Sequence, residues 1–291
     1  MKKPFFTGVC TALVTPFLKG NVNYPMLEQL LKRQMDAGIR SVVVCGTTGE
    51  AATLSDTEKL TIVQRAKEYV GDACQIIAGT GSNSTQYAVE LSVEAQNIGA
   101  DALLVVSPYY NKATPAGLVD HYTAVANAVH IPVIAYNVPS RTGVDMSAEV
   151  YQSLAQISNI AGVKEASRDI TKITKIRALC PEDFAVWSGN DDMIVPVLSL
   201  GGAGVISVLS NAAPEKTRSM AEAALDGDFD TAAALQIQLH PLVELLFSEV
   251  NPIPVKAAMR LLGYDCGGCR LPLTKLTEGN LEALKKQLFL S

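Results

Sequence analysis

The chain has 291 residues, 48% of them hydrophobic and 18% charged, which is enough apolar material for a sizeable buried core. Its formal net charge is −5 and it has no dense basic stretch, which argues against nucleic acid as the main partner. The amino terminus lacks the apolar core of a signal peptide, and no apolar run approaches the ~20 residues needed to span a bilayer. We therefore expect a cytoplasmic protein that has no membrane partner.

One alternation recurs along most of the chain: a short β-branched run, a polar turn and a longer amphipathic segment. The predicted strands are Gly8–Val14, Ser41–Val44, Gln75–Ala78, Ala102–Val106, Val133–Tyr136, Ala161–Lys164, Ala185–Trp187 and Gly204–Val208. The predicted helices are Tyr24–Ala37, Ser55–Val70, Thr85–Ile98, Pro115–Val129, Ser147–Ala155, Ile170–Ala178, Asp191–Leu200 and Ala213–Leu225. Eight strand-then-helix units predict an α/β fold, the (β/α)8 TIM barrel, rather than an open sheet.

The alternation stops after the eighth unit. Further helices are predicted there at Phe229–Phe247, Ile253–Leu262 and Thr277–Leu288. Between the first two, Asn251-Pro252-Ile253-Pro254 predicts a hinge, because proline removes helical hydrogen bonds and restricts the residue before it. We therefore predict a barrel over residues 1–227, followed by a three-helix C-terminal extension over residues 228–291.

The cysteines do not predict a metal site or a disulfide scaffold. The chain has 6 of them, too few for its length to form a disulfide framework. Only Cys266-Gly-Gly-Cys269 has the spacing of a ligand pair, and a structural zinc site needs four ligands. A loop with two free thiols is the preferred interpretation, with no metal and no cofactor.

Lys164 is the most informative candidate for chemistry, because it lies in an apolar β run near the carboxyl end of the predicted sixth strand. Active sites of such barrels lie at that end of the strands. Burial favours the neutral amine, which is a nucleophile toward carbonyl carbon and forms an iminium that accepts electrons. The alternative is a lysine that reaches solvent or pairs with Glu165 or Asp169. Lys164 by itself favours that alternative.

Other polar residues near the ends of the predicted strands favour the catalytic interpretation of Lys164. Tyr136 and Tyr110 fall at the ends of predicted strands five and four, where a phenol can hold and return protons. The Thr47-Thr48-Gly49 turn offers N–H groups and hydroxyls to a small carboxylate or phosphate, and Arg141 offers a two-pronged donor for a carboxylate. Each residue also has an ordinary structural interpretation: packing tyrosines, a glycine-rich turn and a surface arginine.

Several segments spread along the whole chain carry a resemblance to a known family. They are Gly46-Thr47-Thr48-Gly49-Glu50, Pro108-Tyr109-Tyr110-Asn111, Tyr136-Asn137-Val138-Pro139-Ser140-Arg141-Thr142-Gly143, Gly162-Val163-Lys164-Glu165-Ala166, Gly204-Val205-Ile206-Ser207-Val208 and Asn251-Pro252-Ile253-Pro254-Val255-Lys256. The chain resembles the dihydrodipicolinate synthase and N-acetylneuraminate lyase group of class I, Schiff-base aldolases. Within the group it is most similar to members that condense pyruvate with aspartate-4-semialdehyde, on the way to diaminopimelate and lysine.

The resemblance implies a role for each catalytic candidate. Lys164 would form the Schiff base with pyruvate, and Tyr136 would move protons during imine formation, enamine formation and attack on the aldehyde. Thr48 would link Tyr136 to Tyr110 in a hydroxyl relay. In the family the relay tyrosine comes from a neighbouring subunit, so the resemblance also implies a homo-oligomer, commonly a tetramer built as a dimer of dimers.

The resemblance also implies the substrate contacts. Thr47 and Thr48 would bind the carboxylate of pyruvate, backbone groups at Gly189 and Ile206 would line the pocket, and Arg141 would hold the carboxylate of the aldehyde. An N-acetylneuraminate lyase or a 2-keto-3-deoxy sugar-acid aldolase shares the lysine and tyrosine, but usually lacks that arginine. A non-catalytic keto-acid sensor or scaffold is the remaining alternative, and it would not need an amine with a proton relay.

Many plant and bacterial members of the resembled family bind lysine, a feedback inhibitor, at a dimer-interface cleft. The residues that match the lysine-sensitive pattern are Ala52, Asn83 and Tyr109. However, Tyr87 stands where that pattern has a glutamate, and Asp56 and Lys59 stand where it has histidines. Loss of a charged hydrogen bond weakens binding by about 10- to 100-fold. Asp56 could compensate if its side chain turned into the cleft, but we expect it to serve the helix dipole and Lys59 to add like charge. The enzyme should therefore be insensitive or weakly sensitive to lysine.

Overall fold

The computed structural model describes residues 4–289; the first three residues of the charged amino terminus, and residues 290–291, lie outside the described part. Within it, eight parallel strands close into a barrel: β1 (Gly8–Ala12), β4 (Ser41–Val44), β5 (Gln75–Gly79), β6 (Ala102–Val106), β7 (Val133–Asn137), β8 (Ile160–Glu165), β9 (Ala185–Ser188) and β10 (Gly204–Ser207). A short hairpin, β2 (Phe17–Leu18) with β3 (Asn21–Val22), follows β1. Each barrel strand pairs with the next one, and β1 pairs with β10, so the predicted TIM barrel is confirmed.

The helices of the barrel are α1 (Tyr24–Asp36), α2 (Asp56–Val70), α3 (Thr85–Asn97), α4 (Pro115–Ala128), α5 (Pro139–Thr142), α6 (Ala148–Leu154), α7 (Ile170–Leu179), α8 (Ile194–Ser199), α9 (Leu209–Ala212) and α10 (Pro214–Leu225). Most predicted ends are right to within about two residues. The hairpin, α5 and α9 were not predicted from the sequence. The segment predicted as one helix, Asp191–Leu200, begins with a 3₁₀ turn (Asp191–Met193) that precedes α8. Single turns are too short to show a helical period.

The C-terminal segment contains α11 (Phe229–Leu246), α12 (Ile253–Leu261) and α13 (Glu278–Phe289), close to the predicted bounds. The predicted hinge is a turn with a cis peptide bond between Asn251 and Pro252, and α12 begins directly after it. Helix α11 packs on α10 and α8, while α12 contacts α9. The division of the chain at residue 227 stays a prediction. No helix in the described range 4–289 is long and apolar enough to cross a membrane.

The barrel interior is a packed apolar cluster that is separate from the larger core between strands and helices. At its amino-terminal end the Phe6 ring stacks on Trp187, with centroids 4.8 Å apart, and the Trp187 indole N–H donates to the Phe6 carbonyl at 3.2 Å. Both side chains are buried. This floor is closed, so an opening for a substrate has to lie at the carboxyl ends of the strands.

Candidate active site

Lys164 lies in the barrel mouth, next to last in β8, and only 5% of its surface is exposed. Its register partners are Tyr136 on β7 and Trp187 on β9, so the three side chains point to the same face of the sheet, the barrel interior. The Lys164 Nζ lies 4.3 Å from the centre of the Tyr136 ring. Lys164 and Tyr136, chosen from different strands in the sequence, are therefore brought together.

Gly189 follows β9 and shapes the space around the amine. A Cβ atom built there would lie 3.2 Å from Lys164 Cε and 2.6 Å from Ala166 Cβ. The second distance is too short for any side chain to fit without displacing Ala166. Glycine at this position therefore keeps the backbone of the β9 loop close to Lys164 and leaves space beside it.

Glu165 does not pair with Lys164, because successive residues of a strand point to opposite faces. Its buried carboxylate faces the helices and accepts hydrogen bonds from Asn137 Nδ2 at 2.9 and 3.0 Å, Tyr151 Oη at 2.7 Å and Ser167 N at 2.8 Å. Burial, with the nearby Glu165 charge second, raises the pKa of Tyr151. The alternative in which Glu165 neutralises Lys164 is therefore wrong.

The turn after β4 lines the mouth from the other side. Thr48 is buried, and its hydroxyl oxygen accepts a hydrogen bond from Asn251 Nδ2 at 3.0 Å. Thr47 is half-buried and faces a cavity of about 630 Å³ that also reaches Tyr136, Arg141 and Asn251. A cavity of this size accommodates small metabolites.

Asp191 supports the turn after β10, at the strand that carries Ile206. One carboxylate oxygen of Asp191 accepts N–H bonds from Val208 at 3.0 Å and Leu209 at 2.8 Å. Burial raises the pKa of Asp191, while its hydrogen bonds and the charge of Lys164 oppose the rise. Asp191 is thus within electrostatic range of the amine. Sequence reasoning missed it because it was assigned to the start of a helix.

Two candidates lie on the surface of the single chain. Tyr110 is 89% exposed and adopts a positive φ of 75° in the loop after β6, so it does not reach the Lys164 pocket of its own chain. Arg141 is exposed on α5 at the rim of the cavity. Its guanidinium has no hydrogen-bond or ion-pair partner within residues 4–289 and is free to bind an anion.

Sequence reasoning also missed the contacts that hold the turn after β4 to the C-terminal segment. Lys256 Nζ donates to Glu50 Oε1 at 2.8 Å, and the Arg270 backbone N–H donates to Glu50 Oε2 at 2.9 Å. Lys256 also donates to the Gly268 carbonyl at 2.8 Å. Glu50 and Lys256 both belong to the motifs that carry the family resemblance. No local sequence pattern, however, indicates that they contact each other.

The cleft predicted to control lysine binding is occupied by its own side chains. Tyr87 Oη donates to the Asp56 carboxylate, and Lys59 Nζ donates to Tyr87 Oη at 2.8 Å. The Tyr87 hydrogen bond is the largest cause of the lowered pKa of Asp56. Asp56 therefore does more than serve the helix dipole, as it bonds to the cleft residues Tyr87 and Lys59.

The closed floor, the open carboxyl-end mouth and the buried amine of Lys164 define a TIM-barrel enzyme. The chain belongs to the dihydrodipicolinate synthetase family, whose family model matches residues 5–289. A relative from Acetivibrio thermocellus, named 4-hydroxy-tetrahydrodipicolinate synthase, is 49% identical over 99% of this chain and 98% of its own length.

Two solved structures are also similar to this chain. A dihydrodipicolinate synthase from Cyanidioschyzon merolae with lysine bound is 41% identical, with a TM-score of 0.96 over 98% of each chain. A chloride-inhibited dihydrodipicolinate synthase from Acinetobacter baumannii, complexed with pyruvate, is 42% identical. Its TM-score is 0.95 over 97% of this chain and 98% of that one.

Proposed function

We propose that this enzyme condenses pyruvate with aspartate-4-semialdehyde to give 4-hydroxy-tetrahydrodipicolinate, the reaction that leads to diaminopimelate and lysine. The observation that carries the proposal is the buried amine of Lys164 against the ring of Tyr136, a residue that also lines the cavity at the barrel mouth. The names of full-length relatives at 47% to 49% identity support it. The reaction uses no cofactor, because the iminium formed on the lysine is itself the electron acceptor.

The first stage is Schiff-base formation. The amine nitrogen of Lys164 adds to the carbonyl carbon of pyruvate, and the carbinolamine then loses water to leave an iminium. Tyr136 protonates the departing hydroxyl and recovers a proton afterwards. An uncharged phenol suits this position, because a carboxylate so close to the amine would form an ion pair and hold it in its charged form.

The second stage is carbon–carbon bond formation. Tyr136 accepts a methyl proton, which converts the iminium to an enamine. The terminal carbon of the enamine then attacks the aldehyde carbon of aspartate-4-semialdehyde. The new alkoxide takes a proton through Tyr136 and the relay of Thr48 and Tyr110. The amino group of the second substrate then displaces Lys164 from the imine carbon, which closes the ring and frees the enzyme. One water molecule is released overall.

Substrate binding uses the polar groups of the mouth. Thr47 and Thr48 bind the carboxylate of pyruvate, and backbone groups at Gly189 and Ile206 line the pocket opposite them. Arg141, whose guanidinium is unpaired in the described chain, binds the carboxylate of the aldehyde at the rim. This arginine favours the short semialdehyde over a sugar acid, whose several hydroxyls would need other polar groups.

A complete site needs a second copy of the chain. Tyr110 is 89% exposed on the single chain, which supports a role in which its hydroxyl enters the site of a neighbouring subunit. We propose a homotetramer arranged as a dimer of dimers, acting in the cytoplasm.

Borohydride trapping with pyruvate tests the Schiff base directly. Reduction of the imine leaves a secondary amine, which adds a covalent mass to the peptide that contains Lys164. The peptide with Lys172, another buried lysine, should stay unmodified, and Lys164→Ala should abolish the mass gain while the protein stays folded. Absence of trapping in the intact oligomer would favour a keto-acid binder over an enzyme.

An aldehyde panel then separates the enzymes that share this chemistry. Turnover with pyruvate should be much faster for aspartate-4-semialdehyde than for N-acetylmannosamine or glyceraldehyde. A preference for either sugar aldehyde would assign the enzyme to the sugar-acid branch instead.

A further inference from the structure

Asn251 contacts Thr48 across the barrel mouth, although the two residues are 203 positions apart in the chain. Only 5% of Asn251 and 3% of Thr48 are exposed. The Asn251 amide nitrogen donates to the Thr48 hydroxyl oxygen at 3.0 Å. The amide oxygen of Asn251 is buried and accepts no hydrogen bond within the described chain.

The direction of this hydrogen bond follows from the kind of group left unpaired. In the observed orientation the Asn251 oxygen and one of its two N–H groups lack a partner within the described chain. The flipped amide would leave both N–H groups without acceptors, and buried N–H groups without partners are rarer than under-satisfied oxygens. The orientation in which Asn251 donates is therefore the favourable one.

A threonine hydroxyl has one proton and two lone pairs, so an N–H bond to its oxygen constrains where the proton can point. The N–H group of Asn251 cannot accept the Thr48 proton, which must point elsewhere. We propose that Asn251 is a positioning residue that sets the donor direction of the Thr48 hydroxyl, away from the C-terminal segment and toward the cavity. This rests on the proposed function, which places Thr48 in the proton relay.

A different contact holds the turn after β4, which contains Thr48, in place. Glu50, two residues after Thr48, is paired with Lys256 on the first turns of α12 at 2.8 Å, with both side chains buried. This ion pair ties the turn after β4 to the segment that carries Asn251. Changes at Asn251 therefore leave a second connection in place, so that its effect on the Thr48 proton can be measured separately from the fold.

Two substitutions of Asn251 distinguish an effect on the direction of the Thr48 hydroxyl proton from an effect on side-chain packing. Asn251→Asp keeps the shape but offers only acceptors, so it draws the Thr48 proton to itself and reverses the relay. We expect kcat to fall by ~100-fold, within the range of a lost proton-transfer group, with a smaller change in the KM for pyruvate. Asn251→Ala removes the donor without reversing the hydroxyl, and we expect a fall of ~10-fold or less.

A pH profile adds a readout that packing would not change. The carboxyl group introduced by Asn251→Asp can donate again once it is protonated. Its activity deficit relative to wild type should therefore shrink as the pH is lowered. The deficit of Asn251→Ala should not depend on pH. If Asn251→Asp is at least as active as Asn251→Ala across the pH range, the proposal is overturned.

A double-mutant cycle with Thr48→Val completes the test. If Asn251 acts through the Thr48 hydroxyl, its substitution has little further effect on kcat in the Thr48→Val background, whereas independent contributions multiply. Should Asn251→Asp fail to fold, the same cycle with Asn251→Ala decides between these outcomes. Borohydride trapping of wild type with pyruvate is measured alongside. If pyruvate is trapped but the effects of the two substitutions on kcat multiply, only the role of Asn251 is refuted. If pyruvate is not trapped, the proposed function itself is refuted.

Discussion

Glu50 and Lys256 form a buried ion pair, with Lys256 Nζ 2.8 Å from Glu50 Oε1 and side-chain exposures of 0% and 2%. The ammonium group also lies 4.3 Å from the centre of the Phe17 ring. One partner follows β4 and the other belongs to α12. The ion pair therefore joins the turn that carries Thr47 and Thr48 to the C-terminal segment.

Breaking this ion pair should be costly because it leaves an unpaired charge at a buried position. We expect Lys256→Met to lower the free energy of unfolding by about 3–5 kcal/mol, and the double variant Glu50→Gln, Lys256→Met to lose less. Chemical denaturation measures both. Lys32→Met, which breaks a pair on the protein surface, is the control and should cause no measurable change. A double variant less stable than Lys256→Met would contradict this account.

Loss of the tyrosine hydroxyls should act on turnover more than on binding. We expect Tyr136→Phe and Tyr110→Phe each to lower kcat by ~100-fold, with a smaller change in the KM for pyruvate, because proton transfer matters mainly in the transition state. Tyr69→Phe, at another exposed tyrosine, is the control for Tyr110. Specific activity should also fall when the oligomer dissociates on dilution. A fully active monomer would refute the role of Tyr110.

Arg141→Ala should affect the second substrate most. A charged hydrogen bond to a carboxylate contributes about 1.5–3 kcal/mol, so the KM for aspartate-4-semialdehyde should rise by ~10- to 100-fold. The KM for pyruvate should change little. Steady-state kinetics with each substrate varied in turn gives both values, and Arg260→Ala, at an exposed arginine on α12, serves as the control. Unchanged dependence on the aldehyde would rule out this role.

His121 should make the protein less stable in mild acid. Its Nδ1 lies 2.9 Å from Thr85 Oγ1, its Nε2 is buried without a partner in the described residues, and burial lowers its pKa from the ordinary 6.5. The folded state thus binds fewer protons than the unfolded state below that value. Stability is fully retained above pH 6.5 and declines as the pH falls below it, by up to about 1.4 kcal/mol per pH unit.

Denaturant unfolding from about pH 7.5 to about pH 5 measures this decline. The variant His121→Gln should show a shallower decline than wild type. His240→Gln is the control, because His240 is more than half exposed at the surface and pairs with Glu244. Equal pH dependence in wild type and His121→Gln would show that His121 is not responsible.

Inhibition by L-lysine should be weak or absent. In the cleft, the Lys59 amine already bonds to Tyr87 and lies 3.4 Å from the Asp56 carboxylate, so an effector amine meets like charge and no free carboxylate at position 87. We expect binding ~10- to 100-fold weaker than where a glutamate is present. Activity assays with millimolar lysine and calorimetry test this. Strong inhibition at sub-millimolar lysine, with lysine beside Tyr109 in a crystal, would contradict it.

The sequence alone determined the architecture and pointed to two residues of the proposed site. The hydrophobic periods of strands and helices are visible in short stretches of sequence. The alternation of strands and helices therefore predicted the barrel and placed Lys164 and Tyr136 near the carboxyl ends of their strands. Parallel pairing of neighbouring strands then points both side chains to the barrel interior. Single-turn helices such as α5 and α9 were missed because one turn has no period to detect.

Only the tertiary structure decided which distant residues meet. The contacts of Asn251 with Thr48 and of Lys256 with Glu50 span 203 and 206 residues, and they form because barrel closure places the end of β4 beside the start of α12. Local propensity contains no information about such partners. The same is true of Tyr110, whose position after β6 was visible in the sequence but whose exposure depends on the path of the folded loop.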